Sequence, residues 1–200
     1  TGIQIIHSGV PLLKESPIVY GIFEKYSSHP VLAILIGTAA TMLVQSSSAT
    51  IGVTIVLFNS GLINFVTSVG LILGDNIGTC ATAQIVSLGM GTAAKRTAWA
   101  HTIYNIIGSL IALIMLNPFI RLVTDFTLLF GDETRLVANA HLIFNIMSAL
   151  VFLPFTKYYV KLIEWIIPEQ PRKGIHQAVP ASNVRDKVRR SRLQFPRRSG

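Results

Sequence analysis

The chain has 200 residues, of which 50% are hydrophobic and only 13% are charged, and its mean hydropathy is +0.55. Soluble domains carry about 25% charged residues, so this composition argues against an ordinary soluble domain and indicates a membrane protein. The net charge of +8 could suggest nucleic-acid binding. However, no aromatic or glycine-rich binding module accompanies the charge, so we expect no nucleic-acid partner.

The positive charge belongs to the end of the chain. Residues 1–171 carry eight Lys/Arg and eight Asp/Glu, whereas residues 172–200 carry nine Lys/Arg and a single acid. We therefore expect a transmembrane region over residues 1–168 and a basic, disordered tail over residues 169–200 that lies beside anionic lipid. The chain begins at Thr1 without a recognisable signal peptide, so the sequence is compatible with a piece of a longer protein.

The first 60 residues predict an amphipathic lead-in followed by a membrane hairpin. Helices are expected at 2–13 and 20–26. Two apolar segments follow, 31–44 and 49–58, and each is too short to span a bilayer. Between them lies the polar run QSSSAT, which begins at Gln45. Non-helical backbone at membrane depth is tolerated only inside protein or beside a cavity, so the pattern predicts a re-entrant hairpin.

A second interruption is predicted further along the chain. Apolar residues 62–73 lead into the polar and glycine-rich stretch GDNIGTCATA, residues 74–83, and a short helix is expected over 84–88. Interrupted membrane segments of this kind point to a transporter's binding site. Asp75 is the only Asp, Glu, Lys or Arg from residue 26 to residue 94. It is expected either to be functional or to cap a helix that begins at residues 76–77.

The last membrane part predicts two full spans, 97–116 and 136–155, joined by an interfacial segment over 119–130. Lys and Arg then lie mostly at one end of the spans, so the positive-inside rule places the tail in the cytoplasm. Each span contains the pattern Ala-His-x-x-x-Asn, with His101 and Asn105 in one and His141 and Asn145 in the other. Because residues four apart share a helix face, these side chains are expected either to bond between helices or to act on a ligand or proton.

The residue types of the two polar stretches indicate what is bound. A helix that begins near Ala49 offers free N–H groups and a partial positive charge to an anion, and the neighbouring serine hydroxyls can donate as well. Gly74 and Gly78 permit close backbone approach. Neutral side-chain oxygens, which suit a small hard cation such as sodium, are offered by Gln45, Asn76, Thr79 and Thr82.

One absence points to cation-coupled transport. Oxyanions such as phosphate are usually held by Arg or Lys, yet neither occurs between residues 26 and 94. Because a buried anion without a countercharge is very costly, the simplest solution is that a cation enters with it.

The motifs QSSSAT, LGDNIGTCATA and KRTAWAHTIYNIIG together resemble the type II sodium–phosphate cotransporter family over roughly residues 1–168, bacterial members most of all. The pair QSSS and GxNIGT carries the resemblance. Members have two inverted repeats, each with a QSSS motif, whereas this chain has one, which resembles the second repeat. The basic tail replaces the PhoU-like domain into which many bacterial members continue.

The resemblance implies an all-α membrane protein: a helical bundle with a re-entrant hairpin and broken helices, one half of an inverted-repeat transporter. It implies sodium-coupled symport of inorganic phosphate across the cell membrane by a multi-pass protein in the lipid bilayer, with a first-repeat partner or a homodimer completing the site. The implied substrate-binding residues are Gln45, Ser46, Ser47, Ser48, Asn76 and Thr79. The implied sodium ligands are Gln45, Ser47, Thr79 and Thr82.

Two other functions stay open at this stage. A chain with one repeat could be a non-transporting membrane component or partner subunit. An intramembrane serine hydrolase would use Ser47 or Ser48 as nucleophile and His101 or His141 as base, but the sequence lacks a Gly-x-Ser-x-Gly elbow. We therefore expect that the protein is not an enzyme.

Overall fold

The computed structural model describes residues 29–169, which form helices and no strand. The predicted helices at 2–13 and 20–26, and the tail beyond residue 169, lie outside the described residues. Short 3₁₀ turns occupy Glu133–Arg135 and Leu153–Phe155. The α-helices are α1 (Pro30–Val44), α2 (Ser47–Asn59), α3 (Phe65–Ser87), α4 (Thr92–Ile114), α5 (Leu116–Leu129), α6 (Leu136–Phe152) and α7 (Thr156–Ile166).

Within residues 29–169, three helical segments are long and apolar enough to cross a membrane. They are α3 and α4, with 23 residues each, and the 34-residue segment Glu133–Ile166 that joins α6 to α7. A span needs about 20 apolar residues. The prediction of an all-helical membrane protein is confirmed.

The predicted hairpin is present as α1 and α2, with 15 and 13 residues. At 1.5 Å per residue these arms measure about 22 and about 20 Å, which is less than the roughly 30 Å of bilayer hydrocarbon. The chain breaks between them because Gln45 takes a left-handed conformation, with φ of 55°, and Ser46 is extended. Helix α2 begins at Ser47 rather than near Ala49.

The predicted second break, over residues 74–83, is wrong, because α3 runs without interruption from Phe65 to Ser87. Its N-cap is Asn64, whose side-chain oxygen accepts from the Thr67 N–H at 2.8 Å. The glycines that suggested a loop are spaced four apart, at Gly70, Gly74 and Gly78, and so form one face of the helix. Small residues at this spacing let membrane helices approach closely.

That glycine face packs against α1. A Cβ at Gly70 would lie 2.7 Å from the Cβ of Ala33, and one at Gly78 would lie 2.6 Å from the Thr38 carbonyl oxygen. Gly74 and Gly78 therefore admit the backbone of α1, where the sequence had suggested a bound ligand. Residue numbers rise in the same direction along this contact in both helices, so α1 and α3 run parallel. Helix α2 runs back from the end of α1 toward the start of α3.

An apolar core joins α3 to the later helices. Val69, Ile72 and Leu73 of α3 are almost completely buried and contact residues of α4, α5 and α6, including Ala112, Val123 and Ala140. Helix α4 is also attached to α3 by a hydrogen bond from the Ser109 hydroxyl to the Leu73 carbonyl oxygen, at 3.1 Å. The hairpin thus packs against α3, which is itself packed against α4, α5 and α6.

Polar contacts bring the start of α4 to the end of α7. The Arg96 Nε donates to the Ile167 carbonyl oxygen at 2.9 Å, and an Arg96 nitrogen lies 3.6 Å from a carboxylate oxygen of Glu164. The Tyr159 hydroxyl donates to the Ala100 carbonyl oxygen. The two predicted spans are therefore antiparallel, and Arg96 lies at the same end of the bundle as the end of α7.

Gly74→Ala tests the close crossing of α1 and α3. The added methyl would collide with the α1 backbone, 2.7 Å from the Thr38 nitrogen, so we expect the free energy of unfolding to fall by about 1–3 kcal/mol. Gly52→Ala in α2 is the matched control, because among the described residues no atom outside its own helix backbone and its chain neighbours lies within 4 Å of a Cβ there, and alanine favours a helix. Thermal unfolding of both variants in detergent would measure the difference. Equal midpoints would contradict the crossing.

Candidate functional site

The side chain of Asp75 joins the hairpin to α3. Asp75 lies near the middle of α3 and is only 3% exposed. Its Oδ1 accepts from the Thr41 hydroxyl of α1 at 2.7 Å and from the Thr50 hydroxyl of α2. The prediction that Asp75 might cap a helix is wrong, since α3 begins ten residues earlier at Phe65.

Thr50 links this carboxylate to the polar break. Its hydroxyl oxygen lies 3.0 Å from the Ser47 carbonyl oxygen, 3.3 Å from that of Ser46 and 3.2 Å from the Thr41 hydroxyl. Thr41 belongs to the last turn of α1 and Thr50 to the first turn of α2, so the antiparallel hairpin places them face to face. The hydroxyl oxygens of Thr41 and Thr50, the carbonyl oxygens of Ser46 and Ser47 and the Asp75 carboxylate therefore form one connected cluster.

The start of α2 is open. The N-cap Ser46 has an extended backbone and makes no side-chain capping bond within the described residues. The Ala49 N–H donates to the Ser46 carbonyl oxygen at 3.2 Å, which leaves the N–H groups of Ser47 and Ser48 without a hydrogen bond in the described structure. Ser47 is half-buried, while Gln45, Ser46 and Ser48 are exposed. Free N–H groups at an accessible helix start can bind an anion.

The GDNIGT residues differ in their surroundings. Asn76 is buried, and its Nδ2 donates to the Ile72 carbonyl oxygen at 2.9 Å. Thr79 donates its hydroxyl to the Asp75 carbonyl oxygen at 2.8 Å. Thr82 is exposed.

Only part of the predicted site is connected by hydrogen bonds. The backbone carbonyl oxygens of Ser46 and Ser47 lie within 3.3 Å of the Thr50 hydroxyl oxygen, and Thr79 reaches Asp75 through the backbone of α3. Among residues 29–169 no hydrogen bond connects the side chains of Gln45, Ser46, Ser47, Ser48 or Thr82 to this cluster. The substrate and sodium roles of all the predicted site residues stay predictions.

Sequence reasoning did not select Thr41 and Thr50. One feature of the sequence could have identified them. A lone acid inside an apolar stretch needs hydroxyl or amide donors, and these threonines lie on either side of the hairpin break, four residues before Gln45 and five residues after it. Threonine is common in membrane helices, where it bonds back to its own helix. The two therefore did not stand out.

The repeated His and Asn pairs mainly bond within their own helices. Asn105 donates to the His101 carbonyl oxygen at 3.0 Å, and Asn145 donates to that of His141 at 2.8 Å. Asn105 also donates to the sulfur of Cys80 at 3.3 Å, so one of the pairs bonds between helices as expected. Within the described residues, no hydrogen bond joins the hairpin serines to either histidine, as a serine hydrolase would need.

A cavity of about 160 Å³ between α4, α5 and α6 is separate from this cluster. Its walls are aliphatic and aromatic, with Met115, Phe119 and Phe144 among them. Ser148 is the single hydroxyl among its lining residues, which is too few donors for an inorganic anion, so the polar cluster is the better candidate site.

A short-armed hairpin, an open helix start and a buried intramembrane acid are together typical of a secondary transporter. The family model described as Na+/Pi-cotransporter matches residues 1–132. The chain belongs to the Na+/Pi-cotransporter family, and the resemblance noted from its motifs is confirmed, although the matched segment ends before residue 168.

Relatives agree with this assignment. The chain is 39% identical over 137 residues to YqeW of Bacillus subtilis, covering 68% of this chain and 43% of that protein. It is 26% identical to the putative inorganic phosphate export protein YjbB of Salmonella typhimurium, over 87% of this chain and 32% of that protein. It is 37% identical to the sodium-dependent phosphate transport protein 2C of Rattus norvegicus, over 52% of this chain and 18% of that protein. The chain thus spans less than half the length of these relatives. No solved structure matches.

Thr50→Val tests the link between the hairpin and α3. Valine keeps the shape of threonine but removes the hydroxyl, so Asp75 loses one of its donors. We expect the free energy of unfolding to fall by about 1–3 kcal/mol. The matched control is Thr54→Val, one turn later in α2, because the Thr50 carbonyl oxygen is the one hydrogen-bond partner of the Thr54 hydroxyl among the described residues. Unfolding midpoints in detergent would compare the two, and a larger loss in Thr54→Val would contradict the link.

Proposed function

We propose that this chain is one half of a sodium-coupled symporter of inorganic phosphate in the cell membrane. The observation that carries the proposal is the open start of α2 beside the buried carboxylate of Asp75. Family membership and the phosphate-transport names of two relatives support the choice of phosphate.

The anion would bind at the first turn of α2. The N–H groups of Ser47 and Ser48 are free there in the described structure, and of the three consecutive serines at this helix start Ser46 and Ser48 are exposed. Helix starts bind phosphate groups in this way. We propose that the substrate contacts are made by Gln45, Ser46, Ser47, Ser48, Asn76 and Thr79.

The charge balance of this region supports coupling to a cation. The only charged side chain between residues 26 and 94 is Asp75, which would repel phosphate. A helix start contributes only about half a positive charge, which is too little to offset both the carboxylate and the anion. We propose that sodium supplies the rest, with Gln45, Ser47, Thr79 and Thr82 as ligands of the coupling ion.

The site would need a second copy of the repeat. The chain carries one QSSS motif and spans 43% of YqeW and 32% of YjbB. We propose that a partner chain with the first repeat, or an antiparallel homodimer, completes the pathway. The basic residues at the shared end of α4 and α7 support a cytoplasmic tail by the positive-inside rule.

Export is the second candidate direction, because YjbB is named as a putative phosphate exporter. A sodium gradient directed into the cell would drive import by a symporter, whereas export would need another driving force. A non-transporting membrane subunit is the third candidate, favoured by the short coverage of the relatives. Measuring phosphate uptake into vesicles with either sodium or potassium outside distinguishes sodium-coupled import from the other two candidates.

Ser47→Ala tests the proposed site. In proteoliposomes that contain a complete transporter, this variant should lower sodium-dependent phosphate uptake by roughly tenfold or more, the cost of one hydrogen bond to a charged group. The matched control is Ser60→Ala at the other end of α2, where the hydroxyl bonds to the Leu57 carbonyl oxygen.

Both variants should insert into the membrane normally, which protease protection would verify. Full uptake by Ser47→Ala would contradict the assignment of the substrate site. Equal uptake with sodium or potassium outside would contradict sodium coupling.

A further inference from the structure

We infer that Asp75, Thr41 and Thr50 form a binding site for one sodium ion. None of these three residues is among the ligands proposed above for the coupling ion. The first observation is the second carboxylate oxygen of Asp75. This Oδ2 is buried and has no hydrogen-bond partner among the described residues. A buried carboxylate is costly unless it is compensated, so an oxygen left in this state indicates a missing partner.

The oxygen atoms around Asp75 include both carboxylate oxygens, the hydroxyl oxygens of Thr41 and Thr50, and the carbonyl oxygens of Ser46 and Ser47. The Ser46 carbonyl oxygen already accepts from the backbone N–H groups of Ala49 and Thr50, so the unsatisfied atom is the second carboxylate oxygen. Each hydroxyl supplies one proton, and both hydroxyls lie against the same atom, Oδ1. No proton from these donors is left for Oδ2, so a cation is the missing component.

No side chain among the described residues supplies that positive charge. Asp75 makes no ion pair there, and no Lys or Arg occurs between residues 26 and 94. From α6, His141 interacts electrostatically with Asp75 without forming an ion pair. On α4, His101 is exposed and uses its carbonyl oxygen to accept from Cys80. The α1 and α2 residues that touch Asp75 are uncharged threonines.

The ligand chemistry selects a small monovalent ion. Carboxylate, hydroxyl and carbonyl oxygens suit hard cations, and a single carboxylate balances one positive charge. The choice of sodium over another monovalent cation rests on the proposed function. The inference that Asp75 belongs to a cation site does not rest on it. All of its ligands lie in this chain, so binding needs no second repeat.

Thermal unfolding of the purified full chain in detergent tests the site without phosphate and without transport. Sodium chloride would replace choline chloride at constant ionic strength. We expect the midpoint of the wild type to rise saturably, by roughly 5–10 °C at about 100 times the dissociation constant. Asp75→Asn removes the charge with little change of shape and should lose this rise. Asp125→Asn, the same change at an exposed position of α5, should keep it.

Thr41→Val serves as a second variant, because it removes one ligand oxygen and leaves the charge in place. It should raise the half-saturating sodium concentration by about tenfold. The inference is overturned if Asp75→Asn keeps the sodium-dependent rise, if potassium alone stabilises the wild type, or if acidification stabilises the wild type as much as sodium does. Failed phosphate uptake by a complete transporter that contains this chain, with a retained sodium response, would contradict the proposed function and leave this site standing.

Discussion

The burial of the Asp75 carboxylate is the constraint on which the first half of the structure depends. A buried carboxylate needs donors, and α3 itself offers none to the Asp75 side chain in the described structure. The donors come from the end of α1 and the start of α2, because Thr41 and Thr50 both reach Oδ1. The hairpin must therefore lie against α3 with its break near the carboxylate, and the polar residues of QSSSAT are brought to that point.

The glycine face of α3 makes this arrangement sterically possible. Side chains at Gly74 or Gly78 would meet the backbone of α1, so the two helices could not come close enough for Thr41 to reach Asp75. The conformation of Gln45 contributes as well, since its left-handed backbone ends α1 and turns the chain into α2. Steric and electrostatic requirements thus favour the same packing, as expected of a sequence that specifies one structure.

The sequence predicted those features that local patterns determine. The hairpin followed from two apolar segments too short to span a bilayer, and the family followed from QSSS together with GxNIGT. The predicted break after Leu73 failed because a glycine-rich polar stretch is ambiguous: spacing by four marks a helix contact surface as readily as a loop. The sequence offers Thr50 as one of several possible donors to Asp75. The choice among them depends on which face of α2 meets α3, and that is set by tertiary packing.

A double-mutant cycle between Thr50→Val and Asp75→Ala measures most directly whether the carboxylate holds the hairpin against α3. The free energies of unfolding of the wild type, both single variants and the double variant would be determined in detergent. A direct bond predicts a coupling energy of about 1–3 kcal/mol. Additive effects, within about 0.5 kcal/mol, would show that the two residues do not interact and would contradict this account of the site.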